Sequence, residues 1–287
     1  MQMIIDTHVH IWDLERAEYP WLKGDNSILN RTWTIEQIET ENRETRITTG
    51  ILVQASGNTE DTNLMLETAS RSEWISGIVC WLPLMDTQAT RQLLEKRYLK
   101  EEYFKGVRHQ IHDEKDPKWL LQPAVIESLE ILAAEDIPYD IVAVLPAHIE
   151  TAIEVAKRIP DLRMVFDHLS QPPISTKEKF GEWGKLMKVA SGHKNFYAKI
   201  SGLGTASGNY QNRTADDIKP YVEFALKNFG IDRCFCGGDW PVSLLADNYS
   251  NTWQTYKDIL QVLLSAEEQE HVLYSNAQKF YNLPISG

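Results

Sequence analysis

Cysteine is scarce in this chain: Cys80, Cys234 and Cys236 are the only three in 287 residues. That excludes a disulfide framework and suits a reducing compartment, the cytoplasm. Cys234-x-Cys236 lies in an apolar stretch, where buried free thiols are the ordinary outcome rather than a metal or redox pair. Long apolar runs are missing too. No segment reaches the roughly 18 to 20 residues that span a bilayer. The first residues lack a basic segment followed by an apolar one, so no secretory leader is expected. Positive charge is in deficit: 29 basic against 41 acidic residues give a formal net charge of −12. Without a basic run, nucleic acid is not an expected partner, although small anionic substrates stay open. No Pro/Gly/Ser-rich linker splits the chain, and no glycine-rich dinucleotide loop follows the first apolar run.

What is present is an ordinary globular composition, 43% hydrophobic and 24% charged, that alternates between two periodicities. Short runs rich in Ile, Val, Phe and Tyr predict strands over Met3–Thr7, Thr48–Gln54, Ile75–Trp81, Phe104–His109, Tyr139–Val144, Arg163–Asp167, Phe196–Ile200 and Arg233–Gly237. Between them, amphipathic stretches predict helices over Thr34–Thr45, Asp61–Ser70, Gln88–Leu99, Trp119–Ala134, Ala147–Arg158, Lys177–Val189 and Ala215–Phe229. Two more, Thr252–Leu264 and Ala266–Tyr281, close the chain, the last opened by a capping box at Ser265-x-x-Glu268. Eight strands alternating with helices predict a parallel sheet covered by helices. An open doubly wound sheet and a closed barrel compete. The length fits a single (β/α)8 barrel domain over residues 1–287, with an additional C-terminal helix and long loops at Ile11–Trp33 and Gly202–Thr214.

A barrel places its chemistry at the C-terminal ends of its strands. The first strand ends in His8-Val9-His10, and alternation puts His8 and His10 on one face, shared with Ile4 and Asp6. Two imidazoles so spaced can grip one metal or position one water. The sixth strand ends in Asp167-His168. His168 is expected in the site, and Asp167 is expected to point the other way as a supporting residue. The eighth ends in Gly237-Gly238-Asp239-Trp240-Pro241, and barrel closure brings Asp239 beside His8 and His10, where a carboxylate serves as general base. On the fourth, Arg108 can hold a carboxylate or a polarised carbonyl, and only one of Arg108 and His109 can face the mouth. Gln54, Ser201 and Lys199 end the second and seventh strands as hydrogen-bond or charge partners. Trp12, Trp21 and Trp240 are candidate ring-stacking surfaces, and Trp12 through Leu22 forms an aromatic loop fit to roof a pocket. For each of these the plainer reading is a capping residue, a loop salt bridge or a packing anchor. His148 starts a helix, and His112 and His193 read as loop or surface residues.

The motifs in this order are Ile5-Asp6-Thr7-His8-Val9-His10-Ile11-Trp12, Tyr19-Pro20-Trp21-Leu22, Val53-Gln54-Ala55, Gly106-Val107-Arg108-His109, Asp167-His168-Leu169 with Pro172, Lys199-Ile200-Ser201-Gly202-Leu203, Gly238-Asp239-Trp240-Pro241-Val242 and Asn276-Ala277 with Phe280-Tyr281. Together they resemble the amidohydrolase superfamily, in its branch of sugar-lactone hydrolases that act on fucono- and rhamnono-lactones. The resemblance implies a (β/α)8 fold, hydrolysis of a cyclic ester, and a central constellation of His8, His10, His168 and Asp239. Two-metal members carry a carboxylated lysine at the end of the fourth strand. Arg108-His109 stands there instead, and Lys105 lies at the strand's start, so a binuclear site is not expected. Either one divalent metal, Zn²⁺, on His8, His10, His168 and Asp239, or metal-free catalysis, is compatible with the branch.

The expected reaction has Asp239 taking a proton from water, the histidines stabilising the oxyanion, and Arg108, His109 and Gln54 orienting a sugar lactone. Decarboxylation or lactone opening of an unsaturated or aromatic (di)acid is the alternative on the same scaffold. It calls for more arginines than Arg108, with Arg213 able to alter the balance. A barrel that binds a sugar acid without turnover is the remote alternative. Membrane partners are not expected, and the exposed faces of the last two helices leave a homodimer open.

Overall fold

The computed structural model describes residues 3–176, 179–208 and 214–284; Arg213 lies outside them. Eight strands run in chain order, each parallel to the next. They are β1 Ile5–Val9, β2 Thr49–Val53, β3 Ile75–Cys80, β4 Phe104–His109, β5 Tyr139–Ile141, β6 Met164–Phe166, β7 Phe196–Ile200 and β8 Cys234–Cys236. The sheet closes on itself through a parallel bridge between Val9 and Trp240. Asp239 N donates to His8 O and His10 N to Trp240 O, both at 2.7 Å. This is the (β/α)8 barrel the alternation predicts.

The helices are α1 Ile35–Thr45, α2 Thr59–Ala69, α3 Thr87–Lys96, α4 Pro123–Ala134, α5 Pro146–Arg158, α6 Gly181–Ser191, a single turn α7 Leu203–Ala206, α8 Ala215–Phe229, α9 Tyr249–Leu263, α10 Ala266–Glu270 and α11 Asn276–Phe280. Local chemistry sets their ends. Asn58 and Asp86 accept from the backbone N–H groups of Asp61 and Ala89, and Pro123 and Pro146 stand where a missing N–H costs nothing. Pro123 also splits the predicted helix over Trp119–Ala134, leaving a separate 3₁₀ turn at Trp119–Leu121. The predicted Gln88–Leu99 likewise ends at Lys96. The predicted Lys177–Val189 opens only at Gly181. The Ser265–Glu268 capping box is present, and beyond it the chain passes through a π turn at His271–Ser275 into α11.

Two apolar layers result. Ile5, Ile51, Val53, Val79, Val165 and Phe235 fill the barrel interior. Alternate residues such as Leu52, Ile78, Val107 and Phe166 pack the mantle under the helices. The C-terminal segment plugs the floor: Ala277, Phe280, Tyr281 and Leu283 join the interior layer rather than the mantle. Cys80, Cys234 and Cys236 are buried free thiols. No helix among the described residues is long and apolar enough to cross a membrane.

β1 departs from the expected alternation. Its pairing register slips between Asp6 and Val9. Ile5 therefore faces the interior, while Ile4 packs in the mantle and Asp6 bonds Tyr249 and Trp253 of α9. Only past the slip do His8 and His10 turn inward, so they do not share a face with Ile4 and Asp6.

Candidate active site

The strand ends deliver three imidazoles and one carboxylate to a single point. His8 Nε2 and His10 Nε2 are 3.1 Å apart. Asp239 Oδ1 lies 3.8 Å from His8 Nε2, 3.6 Å from His10 Nε2 and 3.8 Å from His168 Nε2. The backbone holds Asp239 there at φ 57, with its N–H on His8 O and its carbonyl accepting from Ser243 N.

His168 arrives by a less common route. Interior Val165 implies, by alternation, that Asp167 points inward and His168 outward. Asp167 does point inward, contrary to the expected orientation. His168 is swung back because it begins a left-handed turn: His168, Leu169, Ser170 and Gln171 have φ of 54, 49, 57 and 52. Side chains with a Cβ resist that region by about 1–2 kcal/mol each, so four in succession mark a strained, function-bearing turn. Gly202, at φ 60, makes room for it, since a Cβ there would sit 2.6 Å from His168 Nδ1 and 2.9 Å from Asp239 Oδ2.

Beneath the imidazoles lies a buried ionic layer. Lys199 Nζ is 2.5 Å from Asp140 Oδ2, 2.8 Å from Asp167 Oδ1 and 3.3 Å from His8 Nδ1. Tyr281, from the floor plug, donates its hydroxyl to Asp140. Arg108 donates to the side chain and backbone of Gln54, lies 3.3 Å from Asp167 Oδ2, and reaches within 3.2 Å of His8 Nε2. Burial lowers all three imidazoles, His8 well below the usual histidine range and His10 to about 3, so each is neutral at physiological pH. Burial raises Asp239, partly opposed by His168 and Arg108, which makes it a stronger base than an exposed aspartate. Burial pushes Asp140 up to about 6 despite Lys199. Asp167 goes the other way: Lys199, His8 and Arg108 together outweigh burial and hold it well below the usual range.

Above the cluster a cavity of about 210 Å³ opens between Trp12, Trp21, Val142, Val144, Gln110 and Gln171, with His10, His168, Arg108 and Asp239 at its base. That is space for several waters, enough to admit a small molecule. Trp12 and Trp21 meet edge to face at 5.1 Å, and Trp21 donates to Ala55 O, so the aromatic loop does form a wall.

The other predicted residues are distributed differently. Ser201 Oγ is 2.9 Å from His168 Nδ1 and orients that ring. Gln54 and Lys199 are fully buried below the cavity and touch Arg108 and the ionic layer rather than open space. His109 faces away. It stacks on Trp119 at 4.0 Å, accepts from Trp81 Nε1 and donates to Glu114. Trp240 is buried against Trp33. His148 Nδ1 caps α5, accepting from Val144 N and Leu145 N. Four polar cavity-lining residues escaped the sequence reading as site residues: Gln110, His112, Gln171 and Thr205. Gln110 follows Arg108 by two, a signal that was readable. The left-handed turn under Gln171 has no glycine to announce it.

The amidohydrolase family model matches residues 5–283, and the chain belongs to that family. It is 27% identical over 286 residues to an L-fucono-1,5-lactonase of Burkholderia ambifaria, covering 99% of this chain and 97% of that one. An L-rhamnono-gamma-lactonase of Scheffersomyces stipitis is 23% identical over 200 residues, covering 62% of this chain and 59% of that one. A crystal structure of an amidohydrolase from Burkholderia multivorans with bound zinc superposes with a TM-score of 0.89 at 26% identity, covering 98% of this chain and 100% of that chain.

Proposed function

We propose that this barrel opens a sugar-acid lactone by adding water to its carbonyl. The observation that carries the reading is the convergence of three imidazole nitrogens on one carboxylate oxygen, each within 3.6–3.8 Å of it, at the base of a small cavity. The kinship to a fuconolactonase and a rhamnonolactonase supports it.

The donor set fits one divalent ion. Neutral imidazoles and a carboxylate are ligands that Zn²⁺ accepts; the donor atoms of His8, His10 and Asp239 lie within 4.8 Å of one another, and the distances from Asp239 to the three imidazoles are near the roughly 3.4 Å edge of a zinc-centred tetrahedron. His8 and His10 alone lie closer, at 3.1 Å. His8, His10, His168 and Asp239 would hold the ion, which supplies Lewis-acid polarisation of the carbonyl when bound.

The chain's own residues do the rest. Asp239 accepts a proton from a water at the cavity base as that water's oxygen bonds to the carbonyl carbon. The imidazoles are neutral and His10 spends its Nδ1–H on Val53 O, so the growing negative charge on the carbonyl oxygen is met by the guanidinium of Arg108. The bond from carbonyl carbon to ring oxygen then breaks. Asp239 returns its proton to that oxygen, which leaves as a hydroxyl of the open acid. Arg108, at the cavity floor, is braced by Gln54 and Asp167 and holds the ester end of the ring. Trp21, half-buried at the cavity wall, offers an apolar face to the sugar ring, with fully buried Trp12 packed behind it. Decarboxylation of a multiply anionic acid is disfavoured because Arg108 is the only arginine lining this cavity among the described residues. Three buried free thiols accord with a cytoplasmic setting.

The test is acid release by purified protein on a panel of fucono-, rhamnono-, galactono-, arabinono- and xylono-lactones. Release well above the spontaneous rate on one or two members is the expected result. Silence on all of them rejects the reading and moves the reaction to decarboxylation.

A further inference from the structure

The left-handed turn does more than deliver His168. In a helical turn of either hand, residues three apart lie close to one face, and Gln171 N closes this one by donating to His168 O at 3.0 Å. His168 and Gln171 both line the cavity, the imidazole at its base and the amide on its wall. The neighbouring polar groups are engaged. Gln110 gives its amide N–H to Ala55 O, Thr205 its hydroxyl to Gly202 O, and Arg108 its guanidinium to Gln54 and Asp167. Gln171 is half-buried, lines the cavity, and has no side-chain hydrogen bond among the described residues. Its φ of 52 is one that glycine adopts at no steric cost, yet the position carries a long amide that offers both a donor and an acceptor.

Resting on the lactonase reading, we propose that Gln171 is the specificity-determining residue of this site, its amide reading the configuration of a ring hydroxyl of the bound lactone. The strained turn sets it in fixed geometry to His168. The hydroxyl it reads is therefore held at a fixed offset from the reacting carbonyl.

The experiment compares wild type with Gln171→Ala and Gln171→Gly on pairs of aldonolactones that differ at one ring carbon. Wild type is expected to prefer one member of a pair. Each variant should lose about tenfold in kcat/KM on the preferred epimer, the size of one neutral hydrogen bond, mainly through KM. On the disfavoured epimer the change should be under twofold, so the preference collapses. Gln171→Gly also relieves the left-handed strain, which offsets the extra freedom of its unfolded chain, and its Tm should be no lower than wild type. That separates a lost contact from a damaged fold. A preference unchanged in both variants, an equal loss on both epimers, or a wild type that does not discriminate would each overturn the assignment. A wild type inactive on every lactone overturns the lactonase reading itself, and this inference with it.

Discussion

Asp239 Oδ1 and His10 Nε2, from opposite ends of the chain, stand 3.6 Å apart because the barrel closes between them. The same closure bonds His10 N to the carbonyl of Trp240, the residue after Asp239. The pair proposed to act on substrate is thus fastened by the backbone that completes the fold, and damage to closure is damage to the candidate site.

Gly202 tests how tightly the site is built. A methyl group at this residue would press on His168 Nδ1 and Asp239 Oδ2 together, and its φ of 60 already disfavours a side chain. Gly202→Ala should lower stability by about 1–3 kcal/mol and lower kcat at least tenfold. Thermal melts and kinetics on one lactone check both. Full kcat in a folded Gly202→Ala protein would show that the two groups need not hold these positions.

The ionic layer makes a separate prediction. Removing the charge of Lys199 leaves Asp140 and Asp167 buried with less compensation. Lys199→Met should cost about 3–5 kcal/mol in denaturant unfolding. Adding Asp140→Asn should recover part of that loss, because one uncompensated charge goes with it. Additive losses in the double variant would contradict the coupling.

The rate should depend on pH through Asp239. Burial raises this carboxyl above its ordinary value of 3.8. The basic form is the active one, so activity is present above the raised value and is lost as pH falls through it. In protein stripped of divalent ions, a kcat–pH profile should show an acid limb above the ordinary carboxylate range. In Asp239→Asn any residual rate should lack that limb. A wild-type rate that stays flat down to pH 4 would argue against a raised base.

The ion site has a readout independent of turnover. Purified protein dialysed against Zn²⁺ should retain about one equivalent by elemental analysis, and His10→Asn or His168→Asn should retain markedly less. Equal retention in wild type and variants would place any zinc elsewhere.

Much of this arrangement was legible in the sequence, and the reasons are physical. Eight apolar runs of strand length separated by helical periods leave few topologies, so the barrel and the strand-end positions of His8, His10, Arg108 and Asp239 follow from period and order. Orientation was less legible wherever the backbone broke alternation. The register slip between Asp6 and Val9 moves Asp6 to the helix side, and the left-handed turn at His168 brings His168 into the site as expected while Asp167, expected to point away, faces inward as well. Neither carries a glycine signature. His109 and Lys199 show a second limit: strand position gives a residue's depth, but its partners decide whether it meets the cavity. His109 is taken up by Trp119 and Glu114, and Lys199 by two aspartates.

The central claim is that Asp239 activates the water that opens the lactone. Its most direct test is kcat of wild type and Asp239→Asn, measured side by side on the best lactone of the panel, with circular dichroism and Tm to confirm the fold. The account predicts a loss of about 10²–10⁴ in kcat with the fold retained. Wild-type kcat in Asp239→Asn would contradict it.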